Sequence, residues 1–94
     1  MPQTDNNNAK DNSRVPGLNN LGLEFYQKGE FDKAEACYQA ALEDDPDEAL
    51  VWNNLGVLRF NEERYAEAKT CFEKALSLKP GFEEAQINLR DTLE

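Results

Sequence analysis

Apolar residues recur along this chain at helical spacing, and the recurrence itself repeats. Over residues 15 to 29 they fall at Leu18, Leu21, Gly22, Phe25 and Tyr26, a stripe along one helix face. Lys28-Gly29-Glu30 breaks the stripe, and Gly29 suits the left-handed end of a helix. A second stripe of Phe31, Ala34, Tyr38, Ala41 and Leu42 predicts a helix over 31 to 44, stopped by Pro46. The pattern then restarts. Val51, Trp52, Leu55, Leu58 and Phe60 predict a helix over 48 to 61, followed by the turn Glu62-Glu63-Arg64, which has no glycine. Tyr65, Ala68, Phe72, Ala75, Leu76 and Leu78 predict a fourth helix over 65 to 78, ended by Pro80-Gly81. A fifth, over 82 to 93, carries Ala85, Ile87, Leu89 and Leu93 among polar residues, as a solvating end helix should.

The restart has a fixed period of 34 residues. Asn19-Asn20-Leu21-Gly22 falls on Asn53-Asn54-Leu55-Gly56, Ala34 on Ala68, Cys37 on Cys71, Ala41-Leu42 on Ala75-Leu76, and Pro46 on Pro80. Such a period predicts stacked supersecondary units rather than one globular core. The small residues have a mechanical reason. Gly22 and Gly56 sit in mid-helix, where glycine costs about 0.5–1 kcal/mol against alanine, a cost tolerated where another backbone must come close. Ala34, Ala41, Ala68 and Ala75 serve the same closeness from the facing helix, while Tyr38, Phe72 and Trp52 fill the space that remains.

These residues resemble the tetratricopeptide repeat, whose pattern runs W-x2-L-G-x2-Y, A-x3-F-x2-A, then P. The second copy reads Trp52, Leu55, Gly56, Ala68, Phe72, Ala75, Pro80; the first reads Leu18, Leu21, Gly22, Phe25, Ala34, Tyr38, Ala41, Pro46. Arg59 departs from the pattern, which prefers an aromatic there; Phe60 beside it is the expected substitute. The resemblance implies an all-α fold of five helices in a right-handed superhelix. Repeats are expected at 15–48 and 49–82, with a capping helix at 83–94. It also implies a job, holding a protein or peptide segment along the groove lined by the first helix of each repeat.

On that alignment the groove side carries Asn19, Asn20, Leu23, Tyr26 and Gln27, then Asn53, Asn54, Val57, Phe60 and Asn61, then Glu84, Ile87, Asn88 and Asp91. Asn20, Asn54 and Asn88 stand one period apart. An asparagine amide both donates and accepts, so a ladder of three suits the main chain of an extended peptide whatever its side chains. Leu23, Val57, Tyr26 and Phe60 form the expected apolar floor. Chaperone-binding relatives use Lys and Arg to clamp a C-terminal carboxylate. Here the matching sites hold Asn19, Leu23, Asn54, Glu84 and Asn88, of which only Asn54 fits, so no carboxylate clamp is expected.

Charge narrows the partner. The 94 residues carry a net charge of −9, which disfavours nucleic acid and anionic membrane and suits a neutral or basic protein partner. Cys37 and Cys71 hold equivalent places in successive repeats, about 10 Å apart if the repeats stack, beyond the roughly 7 Å reach of a disulfide. They are expected as buried apolar residues in a reducing, cytoplasmic compartment. Residues 1–14 are polar and lack an apolar signal core, so a disordered leader is expected. There is no His, no phosphate loop and no nucleophile elbow, so neither an enzyme nor a cofactor is expected. The alternatives are a self-assembling homodimer, because two repeats make a small core, and a fragment of a larger tetratricopeptide protein.

Overall fold

The computed structural model of the chain describes residues 14–94. The expected leader lies outside the described residues up to residue 13. Arg14, assigned to it from sequence, belongs instead to the first hairpin. Among the described residues there are five α-helices and no strand: α1 (Val15–Gln27), α2 (Phe31–Asp44), α3 (Ala49–Asn61), α4 (Tyr65–Leu78) and α5 (Glu83–Leu93). They fall into two compact units, Met1–Pro46 and Asp47–Glu94. The first holds the hairpin α1–α2. The second holds the hairpin α3–α4, with α5 packed on α4 and touching α3 more lightly.

Each hairpin closes on a glycine facing an aromatic ring. A Cβ placed on Gly22 would stand 2.5 Å from Cε1 of Tyr38, and one on Gly56 would stand 2.5 Å from Cε1 of Phe72. The close neighbour is therefore a ring and not the backbone expected from sequence. Both rings are almost wholly buried, so neither can swing away from an added methyl. Around them lie Ala34, Cys37 and Ala41 in the first unit and Ala68, Cys71 and Ala75 in the second, all buried.

The two hairpin turns share one backbone design. Glu30 N–H donates to Phe25 O and Gly29 N–H to Tyr26 O; Arg64 N–H donates to Arg59 O and Glu63 N–H to Phe60 O. This double closure satisfies carbonyls that a helix end leaves orphaned, and it needs a left-handed residue just past the cap. Gly29 takes it with φ 79°, and Glu63 takes it with φ 63°. An aromatic pair brackets each turn: Tyr26 stacks on Phe31 at 5.7 Å, and Phe60 meets Tyr65 edge-on at 5.1 Å.

Charge also ties the helices together. Arg14 donates two hydrogen bonds to Asp44, at 2.6 and 2.8 Å, joining the start of α1 to the end of α2. That hydrogen bond, and then the guanidinium charge, hold the Asp44 carboxyl below its ordinary value. In the second unit the buried Arg59 guanidinium reaches Glu67 at 3.2 Å and Glu62 at 3.6 Å, and Arg64 shares both carboxylates. The site expected to lean on Phe60 is thus filled by Arg59 itself. Its aliphatic stem packs inward and its charge is met across the turn.

Candidate functional site

On α1, Asn20 and Gln27 are exposed and Leu23 and Tyr26 half-buried, whereas Asn19 is buried at 6% exposure. Leu21 is the converse, expected inward but 41% exposed. The helix is therefore rotated relative to the sequence reading, with Asn19 taking an inward place beside Gly22.

The equivalent position on α3 is buried more deeply. Asn53 is fully buried, so it presents no amide to a ligand in solution. Its Oδ1 accepts a hydrogen bond of 3.0 Å from Nδ2 of Asn88 on α5, while its own Nδ2 is buried with no hydrogen-bond partner. Asn54 is half-buried, Val57 and Phe60 are half-buried, and Asn61 is exposed with its amide donating back to Val57 O at 2.9 Å. On α5, Ile87 and Glu84 are exposed and Asn88 is half-buried. Asn88 therefore spends one N–H of its amide on bracing α5 against α3, a role its spacing from Asn20 and Asn54 does not reveal.

Within the second unit, the expected residues Val57, Phe60 and Asn88 do converge. With Phe72 and Asp91 they line a pocket of about 90 Å³. Phe72 was legible only as a core residue, and the structure places it in the pocket lining as well. A neighbouring recess of about 480 Å³ is lined by Phe60, Tyr65, Asp91, Thr92, Leu93 and Glu94. Tyr65, expected inward, is 47% exposed there, and Leu93 is 62% exposed.

The remaining reactive groups are sequestered. Burial pushes the Cys71 thiol up to about 11, with Arg59 pulling the other way, and raises Cys37 as well. Burial likewise moves the Tyr38 hydroxyl to about 12. A thiol so placed is a weak nucleophile, and both cysteines act as packing residues. Among the described residues no group of three or more His, Cys, Asp or Glu could hold a metal ion. None of the helices is long and apolar enough to cross a membrane.

Helical hairpins repeated at 34 residues, with small residues against aromatics, define a helical-repeat protein. The chain belongs to the tetratricopeptide repeat family, whose profile matches residues 19–86. Among curated proteins it is 48% identical over 69 residues to a peroxisomal targeting signal receptor of Candida albicans, and 45% over 69 residues to that of Saccharomyces cerevisiae. These matches cover 73% of this chain but only 12% and 11% of those receptors, so the chain spans about an eighth of the curated relatives' length. The second tetratricopeptide domain of Spaghetti (RPAP3), solved bound to the HSP90 peptide SRMEEVD, superimposes with a TM-score of 0.85 at 20% identity, covering 92% of this chain and 78% of that one. The N-terminal domain of stress-induced protein-1 from C. elegans superimposes with a TM-score of 0.79 at 24% identity, covering 94% and 73%.

Proposed function

We propose that this chain is a non-catalytic protein-interaction module that binds an extended, neutral or basic peptide segment. The observation that carries this reading is the pocket on the second unit, where half-buried Val57 and Phe60 stand beside Asn88. Apolar recesses with a few placed polar groups are what peptide side chains fill. Asn54, half-buried on α3, offers a further amide for the peptide main chain. The curated relatives support the class, since they are receptors for a targeting signal.

Residue chemistry separates this chain from a binder of acidic tails. Glu84 and Asp91 lie on the α5 face that includes Asn88, and two carboxylates there repel a carboxylate ligand. The peptide SRMEEVD is thus expected not to bind; an affinity of about 10 μM or tighter would overturn the reading. The positive test is peptide display on the purified protein, with Asn20→Ala/Asn54→Ala/Asn88→Ala run in parallel. Peptides enriched on the native protein and lost on a folded triple variant support groove binding. Enrichment indifferent to the asparagines removes them from the site.

A homodimer is the second reading, favoured by the exposed Leu93 and Tyr65 around the larger recess. Light scattering at twice the 10.7 kDa chain mass, lost in Leu93→Glu, would establish it.

A further inference from the structure

We infer that the pocket of Val57, Phe60, Phe72, Asn88 and Asp91 is a cation subsite that takes a lysine or arginine side chain of the bound peptide, an inference that rests on the peptide-binding reading above. Its walls are apolar on three sides, from α3 and α4, and its volume of about 90 Å³ accommodates an aliphatic stem but not a large aromatic. Of the two polar groups that α5 contributes, one is charged and accepts only. Asp91 is a carboxylate. Asn88 gives one N–H of its amide to Asn53, which leaves Oδ1 as an acceptor beside its second N–H. An occupant that satisfies the Asp91 carboxylate in a partly apolar setting must bring donors and should bring positive charge.

Three further observations agree. The Phe60 ring lies on the pocket wall, where a cation can rest against its face. Asp91 also lines the neighbouring recess, together with Glu94, so the acidic rim continues past the pocket mouth. Arg90 of the chain itself stands 3.7 Å from Asp91 with both side chains more than half exposed. That is a solvent-screened pair between adjacent residues, which an incoming cation seated on apolar walls can replace.

The test is a display selection at about 150 mM salt, where charges farther apart than about 8 Å are screened. The native protein is compared with Asp91→Asn and with Glu73→Gln, which removes one charge from α4 away from the pocket. The native protein and Glu73→Gln should enrich peptides with lysine or arginine at one fixed position. Replacing that residue by glutamine should weaken binding about fivefold, and Asp91→Asn should erase the preference while keeping its helical circular dichroism. Arg90→Ala should tighten the same peptides. Enriched peptides that are neutral at every position, or a basic preference equal in Asp91→Asn and native protein, would overturn the subsite and leave peptide binding intact. An absence of any enriched peptide would overturn both.

Discussion

At the scale of single residues, Glu63 is the one non-glycine with a positive φ among the described residues. It holds the left-handed conformation that Gly29 holds in the first hairpin, and a side chain there costs about 1–2 kcal/mol. The double closure of the turn by Arg64 and Glu63 N–H groups keeps it in place. Replacing Glu63 by glycine should stabilise the protein by about 0.5–1 kcal/mol, after the entropy of the freer unfolded chain is subtracted. Urea titration should show a higher midpoint at unchanged slope; an unchanged or lower midpoint would mean the turn is not strained. Cys71 gives a pH dependence of defined sign. An unfolded thiol loses its proton near 9.0, while the buried one holds it to about 11. Across that interval the unfolded chain binds fewer protons, so stability falls as pH rises; below pH 9 the contribution is fully present. Thermal melts should therefore drop between pH 9 and 11, and Cys71→Ala should flatten that limb.

At the scale of helices, the two hairpins solve one packing problem with different chemistry. Phe25 and Lys33 in the first meet as ring and cation at 5.6 Å; their period-related positions, Arg59 and Glu67, meet as an ion pair at 3.2 Å. Glu67→Lys alone places a third cation beside Arg59 and Arg64 and should cost about 1–2 kcal/mol, less than a fully buried pair because Glu67 is half exposed. Adding Arg59→Phe recreates the first hairpin's pair and should recover most of the loss. A double-mutant cycle with strictly additive effects would sink the idea. Helix positions were legible because Gly, Pro and apolar period mark them; the bounds of α2 and α4 match the sequence reading. Rotation about the helix axis was less legible. Asn19 and Asn53 lie inward while Leu21 and Tyr65 lie outward; Asn53 can be buried because the Asn88 amide partners it, and hydropathy does not encode that partner. The pairing of Asn53 with Asn88 spans one period plus one residue, so the repeat register concealed it.

At the scale of the whole chain, α5 is the element on which the second unit depends. Ala85 is fully buried, and Asn88 supplies a hydrogen bond to the fully buried Asn53. Ending the chain at residue 81 should expose the apolar face of α4 and leave the Asn53 side chain without its partner. The expected loss is about 2 kcal/mol or more, from lost burial and an unsatisfied buried amide together. In a chain of this size, where small cores are marginal, that is enough to broaden or abolish cooperative melting. A truncated chain that melts at the full chain's temperature would show α5 to be dispensable.

The contact of glycine with ring also fixes how quickly each hairpin can form. Gly22 meets Tyr38 and Gly56 meets Phe72 across a single tight turn, so each closing contact joins residues close together in sequence. Closing a short loop sacrifices little chain entropy, and proteins dominated by such local contacts fold in microseconds to milliseconds. Each hairpin can therefore nucleate on its own ring before any distant segment arrives.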